Sequence, residues 1–128
     1  MRAAFAAVLS VAAAAFLAAG PARAERMAVT VSCVPAEKPL VYDCTLTLAE
    51  RDSGRMIVGA AAIVEADMPS MPLAHKVKPV ELKPTDKPGV YTFRIELEMH
   101  GEWALKLRLS KPRMDVIVHK MNFAKPGT

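Results

Sequence analysis

Tyr91, Phe93, Ile95 and Leu97 alternate with Thr92, Arg94, Glu96 and Glu98. Successive side chains leave a strand on opposite sides, so a period of two marks a β-strand with one face buried and one in water. After a turn at His100-Gly101-Glu102, Trp103, Leu105, Leu107 and Leu109 repeat the pattern against Lys106 and Arg108. No part of the chain after residue 24 shows the 3.6-residue period of a helix. A chain built this way has to fold as sheet.

Five further stretches fit that frame. Residues 28–33 alternate and are β-branched, which reads as a first strand. In residues 42–48 the even positions are apolar and the odd ones polar. Residues 56–66 are apolar at every even position and read as a central strand. Residues 75–82 form a weak strand broken by Pro79, which belongs at a sheet edge because proline has no amide to donate. Residues 115–123 make the last strand. Asp52-Ser53-Gly54, residues 83–89 and Lys111-Pro112-Arg113 carry the turn formers. Seven short strands at this spacing predict an all-β domain, an immunoglobulin-like antiparallel β-sandwich of about seven strands.

The chain begins with Met1-Arg2, an apolar run over residues 3–20 and then Pro21-Ala22-Arg23-Ala24. A positive start, an apolar core and an Ala-x-Ala end are the parts of a secretory signal peptide. Cleavage after Ala24 leaves a domain of residues 25–128 and implies a periplasmic protein. The alternative is a retained anchor, since the run is just long enough to span a bilayer. The chain carries 17 basic and 13 acidic residues; without Arg2 and Arg23 the 15 remaining bases give a net charge of +2. Charges are interspersed, so the basic footprint of a nucleic-acid binder is missing. No later run is apolar enough for a membrane span, so none is expected in the mature chain.

Cys33 and Cys44 are the only cysteines. A pair in an exported chain reads first as a disulfide, here clamping the first two strands. Closing so short a loop is worth roughly 2–3 kcal/mol in the chain-entropy picture. Two thiolate metal ligands are the alternative reading, though this spacing is not a usual ligand pair.

Between two of the strands lies Met68-Pro69-Ser70-Met71-Pro72-Leu73-Ala74-His75. Its prolines bar it from pairing as a central strand and present its side chains in a loop. Two thioethers and an imidazole suit Cu(I), whereas hard cations need oxygen. Antiparallel succession adds a geometric expectation: alternate connections fall at the same end of the sandwich. The loop 34–41, the loop 67–75, the turn 99–102 and the chain end near Phe123 should share one end. That end would gather Met68, Met71, His75, Met99 and His100, with Trp103 beside them. These five side chains are the candidate metal ligands, and His75 would give the site a pH dependence.

Each has a plainer reading. Met99 continues the inward face of Tyr91 to Leu97, Trp103 begins an inward face, and Met68 with Met71 would also serve as an apolar plug. His100 points away from the core, into metal or into a solvated turn. Met56, Met114 and Met121 read as core filler, and His119 as structural.

Val64-Glu65-Ala66-Asp67-Met68-Pro69-Ser70-Met71-Pro72, then Pro88-Gly89-Val90-Tyr91, then Glu96-Leu97-Glu98-Met99-His100-Gly101-Glu102-Trp103 stand in the order of an MPxMP-type loop, a PGxY turn and an M-x-G-x-W turn. Over roughly residues 55–110 the chain thereby resembles the FixH/YtkA-like family of exported or membrane-anchored domains. The resemblance implies an immunoglobulin-like sandwich and an association with copper handling, including haem-copper oxidase assembly and metal efflux.

The chain has no GxSxG, HExxH, CxxC or P-loop, so it is not read as an enzyme. Two functions stay open: a periplasmic protein that binds or delivers Cu(I), and a metal-free adaptor or assembly module that binds another periplasmic or membrane protein.

Overall fold

The computed structural model describes residues 26–72 and 77–125, and every regular element among them is a strand. In chain order these are β1 (Met27–Pro35), β2 (Val41–Glu50), β3 (Ala61–Asp67), β4 (Val80–Glu81), β5 (Lys83–Pro84), β6 (Val90–Glu96), β7 (Gly101–Lys111) and β8 (Asp115–Phe123). They form two four-stranded antiparallel sheets, ordered β1-β2-β6-β5 and β4-β3-β7-β8. This is a β-sandwich. The leader expected at residues 1–24 and His75 lie outside the described residues.

The two alternating stretches supply the facing halves of the core. Tyr91, Phe93 and Ile95 of β6 and the adjoining Leu97 are buried, as are Trp103, Leu105, Leu107 and Leu109 of β7. Tyr42, Cys44, Leu46 and Leu48 of β2 and Ala62, Val64 and Ala66 of β3 complete the two inner faces. Among the described residues no polar or charged residue is buried as a whole. The disulfide is formed: Cys33 and Cys44 stand directly opposite in the β1–β2 ladder, with Cα atoms 4.0 Å apart.

Two expectations change. Residues 56–66 are not one strand. Met56 makes a single bridge to Ala49 of β2, and regular pairing begins again only at Ala61, in the other sheet. The chain is crossing between layers there, so Ile57 is buried while Val58 lies in solvent. The apolar run hid the crossing because both sheets want apolar residues. The edge strand expected over residues 75–82 is likewise divided. β4 pairs with β3, Leu82 is buried, and β5 then pairs with β6 inside the stretch read as turn. Pro79 and Pro84 keep both pieces short. Eight strands result where about seven were expected.

Candidate functional site

Strand direction brings the predicted loops together. β2 starts where β6 ends, Val41 facing Glu96, and the Leu97 amide donates to the Leu40 carbonyl at 2.9 Å. β3 ends at Asp67 opposite Ala104, one turn of chain from Gly101, and Gly101 pairs with Phe123 at the end of β8. The rings of Tyr42 and Phe123 meet edge to face at 4.7 Å between centroids, joining the two sheets at this end. The loop 36–40, the loop after β3, the turn 97–100 and the end of β8 therefore share one end.

The methionines differ in placement. Met68 is buried, 4 % exposed, and belongs to the core. It was expected in a presented loop. The correction lies in β3 itself, whose buried face Ala62, Val64, Ala66 simply continues to Met68. Gly101 accommodates it: at φ 136° the residue lies where side chains are disfavoured, and a Cβ there would sit 3.2 Å from the Met68 methyl. Met71 is 38 % exposed, on a turn closed by its amide donating to the Met68 carbonyl at 3.0 Å. Met99 is half-buried against the core, and its carbonyl accepts a 3.0 Å hydrogen bond from the Trp103 indole Nε1–H. Trp103 is fully buried, so this bond anchors the 97–100 turn to the interior.

His100 is the unusual residue. It was expected to point away from the core, yet Nδ1 and Nε2 are both withdrawn from solvent with no hydrogen-bond partner among the described residues. The strand alternation ends at Leu97, so it gave no guide to the residue's direction in the turn. Buried polar atoms are nearly always paired, and an orphan pair asks for an explanation such as an ion. His100 also borders an open cleft of about 330 Å³ shared with Glu37, Lys38, Pro39, Tyr42 and Lys125. Leu40 in the same loop has φ 65°, a left-handed conformation that costs a residue with a side chain about 1–2 kcal/mol.

Sequence reasoning missed what holds that loop. Arg94 on the outer face of β6 bonds Asp43 of β2 through Nε at 2.7 Å and Glu37 through Nη1 at 2.8 Å. The Arg94 hydrogen bond holds the Asp43 carboxyl below the usual carboxylate range. A hydrogen bond from its own backbone, and then Arg94, do the same for Glu37. The cross-strand pairing of an Asp with an Arg was the available signal; Glu37 lay in a loop that no periodicity reaches.

Among the described residues no group of three or more His, Cys, Asp or Glu lies together as a metal site. The two cysteines are spent on the disulfide. The thioether sulfurs and the imidazole at this end are a donor set that would fit Cu(I) better than a hard cation.

The fold and this end define a small disulfide-clamped β-sandwich whose distinguishing chemistry lies in one set of connections. The model of the YtkA-like family matches residues 22–108, more than half of the chain, and the chain belongs to that family. The match extends over β1 and β2 and so includes both cysteines, which the motif resemblance did not reach. Comparison with curated proteins and with solved structures finds no match.

Proposed function

We propose that the chain is an exported, periplasmic copper-associated protein that binds Cu(I) at the Met/His end of its sandwich and passes it on. Its leader is cleaved after Ala24, and it works by binding and not by catalysis. The observation that carries this reading is the imidazole of His100, whose two nitrogens are buried without partners among the described residues, beside Met99 and one residue from the glycine that packs on Met68. Neutral thioethers with one imidazole make a soft site; Met71 is a further donor at this end, and His75, outside the described residues, is one the sequence offers. The reading extends to the FixH-like side of the resemblance and to an immunoglobulin-like topology. The strand order β1-β2-β6-β5 facing β4-β3-β7-β8 supports the latter, being the A-B-E-D and C-F-G arrangement with one added edge strand. The disulfide departs from that pattern by joining neighbours in one sheet.

The test is anaerobic titration of the disulfide-bonded chain with Cu(I) against a chromogenic chelator. One equivalent should be withheld from the chelator. His100→Ala should weaken binding at least about tenfold, the lower bound for disturbing even an outer partner of a metal site. A parent chain that withholds no copper would end the proposal. The second reading, a metal-free adaptor, draws support from the burial of Met68, which serves as core whether or not metal binds. A Met68→Leu, Met71→Leu double variant nearly preserves volume and separates the two. Unchanged copper affinity in that variant would make the loop an apolar plug and favour the adaptor.

A further inference from the structure

The two lateral sides of the sandwich treat their edges differently. On one side the edges are β4 and β5, two residues each, with Pro79, Lys83 and Pro84 in or beside them. Short strands, proline and lysine are the usual means of stopping edge-to-edge pairing. On the other side the edges are β1 and β8, nine residues each. They touch each other, but neither pairs with a further strand among the described residues. β8 carries no proline, and its charges are confined to Asp115 at its start and Lys120 toward its end.

The first half of its outer face is also apolar where solvent should be, before Lys120 and Asn122. Val116 is 49 % exposed and Val118 54 %, and Met114 just before the strand is 87 % exposed. Val116 faces Arg108 on β7 and Arg108 faces Ile63 on β3, so the patch runs on to Ile63, itself 43 % exposed. Arg108 and Lys106 within this face are paired with Glu65 and Asp67, which leaves the valines as its unsatisfied feature. β1 offers less: its outward positions include Thr30 and Ser32, and its one exposed large apolar side chain, Val34 at 58 %, stands at its end beside Pro35.

We propose that β8 is a self-association edge, on which a second copy of this chain adds its own β8 antiparallel about a two-fold axis. The sequence of the strand selects that occupant. Asp115 stands at its start and His119 and Lys120 toward its end, with Val116, Ile117 and Val118 between. Antiparallel pairing about Ile117 sets Val116 against Val118 and Asp115 of each copy against His119 of the other. Parallel pairing would stack acid on acid. A two-fold contact of this kind is isologous and closes, so it yields a dimer and not a fibre. The two sheets would join into one of eight strands, β4-β3-β7-β8 continued by its symmetry mate.

The contact is one strand per copy, at the small end of specific interfaces, so a dissociation constant between about 1 µM and 1 mM is expected. Sedimentation velocity of the disulfide-bonded chain over that range should show a reversible monomer–dimer equilibrium. Amide exchange should slow with concentration along β8 and stay constant along β1. Val116→Lys with Val118→Lys changes only exposed positions, so it should leave the circular dichroism spectrum intact and weaken association at least tenfold. A parent chain that stays monomeric throughout overturns the proposal. So does a dimer whose protection appears on β1, or one that the double lysine variant leaves unchanged while folded.

Discussion

The two ends of the sandwich are closed in opposite ways. At the end away from Met68, Met71 and Met99 the hydroxyls of Ser53, Thr85 and Tyr91 all have partners. Tyr91 donates to the Ile57 carbonyl at 2.6 Å and accepts from the Ala60 amide at 3.0 Å, pinning the crossing between sheets. Thr85 donates to the Val90 carbonyl at 2.7 Å and accepts from the Lys87 amide at 3.2 Å. Gly89 there packs so closely that a Cβ would lie 2.9 Å from Met56 and 3.0 Å from the Leu48 carbonyl. At the other end the 97–100 turn is anchored from inside by Trp103, yet His100 keeps two orphan nitrogens and Leu40 a strained backbone. A satisfied end is scaffold. An end that retains unsatisfied polar atoms and strain is where a sequence departs from local consistency, and such departures concentrate at functional sites.

Breaking the anchor should have the largest effect. Trp103→Ala removes a fully buried ring and the bond to the Met99 carbonyl, and should cost about 3–5 kcal/mol in urea unfolding. Replacing Cys33 and Cys44 by serine frees β1 from β2 at the methionine end and should cost roughly 2–3 kcal/mol. Tyr91→Phe orphans a buried carbonyl and an amide at the scaffold end, for about 1–3 kcal/mol.

His100→Leu is the counterpart that sharpens the contrast. It removes a polar group that has no partner among the described residues, so stability should stay within about 1 kcal/mol of the parent or rise. A loss as large as that of Tyr91→Phe would show that the imidazole is satisfied after all and that the ends are alike. The smallest effect belongs to Arg94→Gln. Asp43 and Glu37 have folded pKa values below their unfolded ones, so their contribution is present above the unfolded carboxylate range and fades as pH falls through the folded values. The variant should flatten that acid limb of the stability profile and leave its neutral shape alone. Carboxyl chemical shifts followed through the titration should show both groups moving up.

Much of this contrast was legible before any coordinates. Alternation located β2, β6 and β7 and their buried faces, because a strand has only two sides and water claims one. Strand reversal placed the methionine loops at one end. What alternation could not show was the crossing at residues 57–60, where an apolar run serves two sheets in turn, and the division of the proline-rich edge between β4 and β5. It also missed Met68 as core, although the even phase of β3 runs straight into it.

The sequence by itself determined the sheet class, the inward faces and the pairing of two cysteines, since period-two patterning and a lone cysteine pair in an exported-looking chain leave few alternatives. Only the tertiary structure decided that, among the described residues, the His100 nitrogens are buried and unpartnered and β8 remains an open edge, and that Arg94 ties Glu37 to Asp43. Those features depend on which distant segments meet, and that is settled by packing across the sandwich and not by any local repeat.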